Sequence, residues 1–428
     1  MCGWVDAITD PRRKKSVEYP IAAMIWLGIL LFLLKLEARR HITYKLGRYS
    51  PFVSHLNALA GTRVSKCPHD DAVADLFILL PYEQLDELRS RMVHALIRKK
   101  VLEYSRLFDV YYTIAIDGTG VHYYRYRHCE HCLTKKNSKT GEILYYHNVL
   151  EAKLVTADGL AFSIATEFIE NPWEYDPDLS EEKQKQDCEI KAFKRLAPRL
   201  KARFPQLRIC LLLDSLYAAQ TVMAICIRFN WEAIISFKEG SIPTVYQEHC
   251  KLRTAQPENF LRWTTPGNAK QIITWSNGIK YEDYTLALVE CLETTKPDCP
   301  DQQKKTFVYL TTLNVTKDRA RAVVNEGGRQ RWNVEDGFNT QKNRGYELEH
   351  MYCRNENASK TFYLCLQIAH TINQLFEQGS LIAALRKKLG CIKNLTDDLR
   401  MHMLMQVLPQ EALEQILATP FQIRLNSS

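Results

Sequence analysis

The sequence predicts a mixed α/β protein with helical regions at both ends, and three observations carry that expectation. Apolar residues recur at helical spacing through the first hundred positions. From Asp109 to Lys238 the order is hairpin, helix, buried strand, helix, strand. Helical periodicity then returns from Thr316 to the end.

In the N-terminal region the pattern predicts helices over Pro20 to about Arg40, Ser54 to Ala60, His69 to Leu80 and Pro81 to Val101. In the last of these Leu85, Leu88, Met92 and Leu96 form an apolar face, and Arg89, Arg91 and Arg98 fall on the other. Asp109 to Asp117 reads as a strand. Asn148 to Thr156 and Leu160 to Glu170 form a hairpin turning at Ala157, Asp158 and Gly159. A charged helix is expected around Glu181 to Lys201. The run Arg208 to Asp214 has the unbroken apolar character of a fully buried strand. A helix at Tyr217 to Phe229 and a strand at Glu232 to Lys238 follow. Gln271 to Trp275 and Tyr284 to Leu292, on either side of Asn277 and Gly278, and Phe307 to Leu313 make a β-rich stretch. The expected divisions are 1–105 helical, 106–239 the first part of an α/β core, 240–315 a β-rich insertion, 316–378 the second part of the core, and 379–428 helical.

Of the 428 residues, 46% are hydrophobic, enough to bury a sizeable core. Fifty-seven Lys and Arg against 49 Asp and Glu leave a formal charge of +8, which leans towards a polyanionic partner. The longest apolar run, Ile21 to Leu34, is short of the roughly 20 residues of a membrane span and reads as a buried helix, with no membrane partner. The N-terminus opens with acids and a basic run rather than a signal peptide. Thirteen scattered cysteines read as reduced thiols, so a cytoplasmic location is expected.

Two strand-like runs end in an acid. Asp117 follows Ile114 to Ile116 and precedes Gly118, Thr119 and Gly120, which would let the chain turn away. Asp214 follows Leu211 to Leu213. Neighbouring strands ending this way would bring two carboxylates to the C-terminal edge of one sheet, where a divalent cation relieves their repulsion. Taken singly, each Asp reads equally as a turn former or helix cap. A third acid decides between these readings. On a helix turning about 100° per residue, Arg331, Glu335 and Lys342 fall within an arc of about 40°, whereas Asp336 lies about 100° further round. The bland alternative is an exposed Arg331–Glu335 pair.

Arg331, Glu335 and Lys342 match the R-(3)-E-(6)-K part of the Y-(2)-R-(3)-E-(6)-K signature, and the chain resembles the bacterial insertion-sequence DDE transposases that carry it. The resemblance runs from about Asp109 to Gln378 and includes AIDGTG at 115–120, LLLDSLYA at 211–218 and NRGYELEH at 343–350. The signature's Tyr position is Gly328 here, and Tyr309 and Tyr346 are the candidates to replace it.

The resemblance implies an RNase H-like core in which Asp117, Asp214 and Glu335 are catalytic and hold two Mg²⁺ ions, with Mn²⁺ able to substitute. It implies double-stranded DNA as partner, both terminal inverted repeats and target, cleaved and then joined by a homodimer on paired ends in a nucleoid-associated setting. The N-terminal helices would bind the DNA ends. Arg331 and Lys342 would contact phosphates, with Lys238 as a further candidate, and Trp332 would stack on an unpaired base or pack beside the acid helix. Trp263 and Trp275 read as packing residues. Two rivals share these residues: an inactive transposase-derived DNA-binding protein, and a two-metal, structure-selective nuclease.

Two other segments bear weighing. His128, Cys129, His131 and Cys132 include one C-x-x-C, half of a zinc site. No second C-x-x-C or spaced His pair completes it, so an exposed loop with a reduced thiol pair is expected. Lys185 to Glu189 is polar and is a candidate for a further acid site, but within an expected helix it reads rather as a solvated or phosphate-facing surface.

Overall fold

The computed structural model describes residues 2–171, 186–297, 301–419 and 422–425. One ten-stranded mixed sheet runs through the molecule, in the order β2-β3-β1-β5-β6-β10-β9-β8-β7, with β4 also on β3. Its strands are β1 Tyr112–Tyr124, β2 Leu133–Lys136, β3 Ile143–Val155, β4 Ala161–Ile169, β5 Ile209–Leu213, β6 Glu232–Ser236, β7 Phe260–Thr264, β8 Lys270–Tyr281, β9 Tyr284–Thr295 and β10 Gln303–Thr311. Only β1–β5 and β5–β6 pair in parallel. The strands of the expected insertion continue this sheet, because β10 lies antiparallel to β6.

Helices before the sheet are α1 Cys2–Val5, α2 Ile21–Leu33, α3 Ser50–Ala60, α4 Asp70–Leu79 and α5 Glu83–Arg98. Between the strands come α6 Glu189–Arg203, α7 Gln220–Phe229 and α8 Pro243–Ala255. After the sheet come α9 Lys317–Ala322, α10 Trp332–Asn343, α11 Glu356–Gln378, α12 Ala383–Leu389, α13 Ile392–Met405 and α14 Gln410–Ala418. Helix α2 is apolar all round and buried from Ala22 to Phe32, packed on α3, α4 and α11, as such a helix must be. No described helix is long and apolar enough to cross a membrane.

Strand periodicity divides the core in two. Along β1 and β5, Ala115, Cys210 and Leu212 join the cluster containing α2, α10 and α11, whereas Ile114, Ile116, Leu211 and Leu213 join the cluster containing α6 and α7. The 157–159 turn forms as expected, with Gly159 at φ 91°.

Several expectations are corrected. Strand β1 does not end at Asp117. It runs on to Tyr124, paired with β3, and Gly118 and Gly120 serve close approaches rather than a turn: a Cβ at Gly118 would lie 2.5 Å from Glu189 Oε1. Strand β8 likewise passes through Asn277 and Gly278 as a bulge and turns at Glu282 and Asp283. Asn277 instead bonds the backbone of Val315 in both directions. Arg89 is buried rather than on a solvated face, because Asp86 pairs with it and Ser163 and Thr166 accept its hydrogen bonds. The start expected for the helix at 181, and Lys185, lie outside the described residues.

Candidate active site

In the β1–β5 ladder Ala115 stands beside Leu212, so two residues further on Asp117 and Asp214 are level on adjacent strands and share the face of Ala115 and Leu212. Strand β5 ends at Leu213, and this opens the sheet beside Asp117. Asp214 caps the turn that follows, its Oδ1 accepting from the Leu216 amide at 2.9 Å. Asp117 Oδ1 accepts from the Gly118 amide at 3.0 Å.

Helix α10 packs on β1, β3 and β4 with Val334, Gly337 and Phe338 buried, and Glu335 on it stands close enough to Asp117 to raise its carboxyl. Asp336 faces solvent. Arg331, buried at the helix N-cap, ties the constellation together: its guanidinium lies 2.6 Å from Glu335 Oε1 and 3.6 Å from Asp117 Oδ2.

Burial pushes the Asp117 carboxyl up to about 7. Arg331 opposes the rise, while Glu189, Glu335 and Asp214 add to it. Glu189 is thus a fourth carboxylate, reaching the site from the N-terminus of α6 on the other face through the space that Gly118 leaves. Burial raises its own pKa, as does Asp214, while its hydrogen bond from the Tyr217 hydroxyl, at 3.4 Å, opposes the rise. The expected solvated or phosphate-facing surface at 185–189 therefore does not hold at Glu189, although Cys188 beside it is exposed. Asp187 is also buried, paired with Arg195 at 2.7 Å, and this pair anchors the start of α6. Under the acids lies Lys153 of β3, opposite Ala115. It is fully buried, with no hydrogen-bond partner, and its Nζ is 4.0 Å from the centre of the Phe338 ring.

The remaining predicted residues are placed unequally. Lys342 is seven residues beyond Glu335, about 10 Å along the helix, and pairs with Glu349 at 2.8 Å. Lys238 is exposed just beyond Ser236, itself level with Asp214 on the neighbouring strand. Trp332 is 52% exposed, with Arg331 stacked on its ring at 4.9 Å, so it is not a core residue. Trp275 is buried as expected. Trp263 is partly exposed beneath Arg321.

At Gly328 the backbone is helical, so no torsion requires glycine, but a Cβ there would lie 2.3 Å from the Tyr309 ring. The aromatic ring from β10 thus fills the space a side chain at 328 would take. Tyr346 is elsewhere, buried and bonded to Asn373 at 2.7 Å.

The C-x-x-C segment is not an exposed loop. Cys132 is fully buried and Cys129 half-buried, and His147 of β3 comes to both. Burial lowers His147 to about 4, with His128 adding to the effect, and burial also lowers His128. The missing partner was thus a single histidine 15 residues on.

Among the described residues, groups of three or more ligating side chains whose donor atoms lie within 4.8 Å of one another occur at His128, Cys129, Cys132 and His147, and at His69, Asp70 and Asp71. The second caps α4, and Arg39 pairs with both of its acids. The acids around Asp117 are spread more widely about Arg331. Their donor set, all carboxylate oxygen, is of the kind that suits a hard divalent cation such as Mg²⁺, and Asp117 is raised by burial first, with its acidic neighbours adding to the rise. Comparison of the chain with protein-family models and with curated proteins gives no match.

Proposed function

We propose that this chain is a DDE-type transposase with an RNase H-like catalytic core, cutting DNA at the ends of an insertion sequence and joining them to a target. The observation that carries the reading is the level placement of Asp117 and Asp214 at the open edge of β1 and β5, with Glu335 tied to Asp117 through Arg331. Three acids this far apart in sequence would be drawn towards one another in this way if they formed one site.

Asp117, Asp214 and Glu335 would hold Mg²⁺, or Mn²⁺ in its place, and the charge of Glu189 bears on Asp117 from the other face. A bound divalent metal pair supplies activation of the attacking oxygen and stabilisation of the leaving oxygen. The chain's own part is positional. Arg331 fixes the orientation of Asp117 and Glu335, and its own burial makes that a larger role than free phosphate binding. The exposed Trp332 offers a stacking face, and Lys238 and Lys342 offer cations to the phosphates around it.

The test uses DNA from the gene's own flanks, containing the terminal inverted repeats, with Mg²⁺ and a target duplex. Wild-type protein should release the ends and join them. Asp117→Asn, Asp214→Asn and Glu335→Gln should each lower the rate by about a thousandfold, the several kcal/mol that metal positioning supplies. Cleavage undiminished in all three variants would overturn the assignment. Hydrolysis without joining would favour a nuclease, and binding without cleavage an inactive descendant.

A further inference from the structure

The loop between β1 and β2 places His128, Cys129 and Cys132 against His147, which arrives from β3. Cys129 Sγ is 3.5 Å from Cys132 Sγ and 3.3 Å from His147 Nε2. Cys132 Sγ is 3.5 Å from His147 Nε2 and 3.1 Å from His128 Nδ1. A tetrahedral zinc with sulfur at about 2.3 Å and nitrogen at about 2.0–2.1 Å sets its ligand atoms roughly 3.3–3.8 Å apart. Four donors, two thiol and two imidazole, therefore already stand near the corners of a zinc tetrahedron, slightly drawn in.

We infer that His128, Cys129, Cys132 and His147 form a structural zinc site. Two thiolates with two imidazoles select zinc over the hard cations that suit the carboxylate site. With all four positions taken by protein the site is closed, so its role is to clamp the loop to the sheet. The thiols are deprotonated on binding, and both protons leave to solvent.

Surrounding contacts are consistent with a fixed loop. His131, on the same loop, is not a ligand: its Nε2 faces Glu356 of α11 at 3.2 Å, and its Nδ1 the Asn171 carbonyl at 3.3 Å. Asn171 also donates to the Cys132 carbonyl at 3.3 Å. The site is separate from the acids. His147 pairs across the ladder with His122, five residues beyond Asp117 and so about 17 Å along β1. The inference therefore stands or falls independently of the transposase reading.

The test is elemental analysis of full-length protein purified under reducing conditions, together with replacement of the metal by Co²⁺. One zinc per chain is expected, and the Co²⁺ form should show the thiolate-to-metal charge-transfer absorption and tetrahedral d–d bands that carboxylate binding cannot produce. Cys129→Ser and His147→Gln should each lose at least nine-tenths of the zinc and the charge-transfer band. His131→Gln and Cys188→Ser, at a non-ligand histidine and an exposed cysteine, should keep both. Because the Co²⁺ spectrum is read on wild-type protein, a misfolded variant does not spare the inference. A wild-type chain without stoichiometric zinc and without that band, or with Cys129 and Cys132 joined as a disulfide in the reduced preparation, would overturn it. Zinc retained at full occupancy by both ligand variants would overturn it as well.

Discussion

Replacing Lys153 by Met should stabilise the protein near neutral pH while harming the acid site above it. Lys153 is fully buried with an unsatisfied Nζ, and burial lowers its pKa from an ordinary 10.5 to about 8 against the pull of Glu151 and Asp117. Each pH unit of displacement corresponds to about 1.4 kcal/mol, so holding the charge inside costs roughly 3 kcal/mol at pH 7. Because the folded pKa is the depressed one, the unfolded chain binds the extra proton between pH 8 and 10.5, and wild-type stability gains from this group as pH rises through that window. Removal leaves no orphan: Glu151 keeps hydrogen bonds from Ser163 and Thr166 and the nearby Arg89, and Asp117 keeps Arg331. Met has nearly the volume of the lysine stem. In urea denaturation, Lys153→Met should gain on wild type by up to about 3 kcal/mol at pH 7, and the gain should shrink by about 2.5 kcal/mol by pH 10. Taking the difference between the two proteins cancels every other group that titrates in this range. A difference independent of pH, or a variant less stable at pH 7, would refute the view that Lys153 is a buried charge held at a cost.

Two further outcomes follow from the same site. Asp117, raised to about 7 by burial and its acidic neighbours, keeps its proton in the folded state where an unfolded carboxyl, at 3.8, has lost it. Its contribution to the metal-free protein's stability is therefore full below pH 4 and is lost as pH rises to 7. Mg²⁺, which needs the ionised form, should by calorimetric titration bind about tenfold more weakly at pH 6 than at pH 8; equal affinity would mean that Asp117 is ionised throughout. Gly328→Ala should cost about 1–3 kcal/mol in urea denaturation through overpacking, because its Cβ would meet the Tyr309 ring at 2.3 Å. In a Tyr309→Ala background the same change should cost far less, and equal costs in the two backgrounds would count against the steric account.

The elements legible in the sequence were those fixed by local periodicity. The N-terminal helices, the 157–159 hairpin and the all-apolar β5 follow from side chains a few residues apart. Asp117, Asp214 and Glu335 each stand in a distinctive local context; the sheet register sets Asp117 and Asp214 level, and Arg331 touches Asp117 and Glu335. What local pattern could not carry was anything decided by a distant neighbour. Gly118 looks like a turn residue until Glu189 is seen in the space where its side chain would be. Arg89 looks solvated until Asp86 and the β4 hydroxyls meet it. Tyr309 is nineteen residues from Gly328, and only the docking of β10 beside β6 puts its ring on that glycine. His147 carries no signal in the sequence, because a single histidine on a strand has no paired motif beside it and only the fold of β3 sets it against Cys129 and Cys132.

The continuity of β1 changes how the acid site is held. If the strand had ended at Asp117, the carboxylate would sit on a flexible turn, and its direction would depend on the loop. Instead Asp117 is paired with Glu151 in a ladder that continues seven residues beyond it, to Tyr124 opposite Tyr145, and only its β5 side is open. The acid therefore has a rigid backbone and one free flank, and Asp214 and the C-terminal end of β5 lie on that flank. Glu189 enters from the far face through the gap at Gly118, and Glu335 from the near face on α10. Four carboxylates thus approach from four elements, β1, the turn after β5, α6 and α10, and stand spread about Arg331. A cation shared by several of these carboxylates would need their side chains drawn closer together than they stand here. Burial is the main reason the Asp117 carboxyl is raised, and the charge of Arg331 offsets that rise only in part.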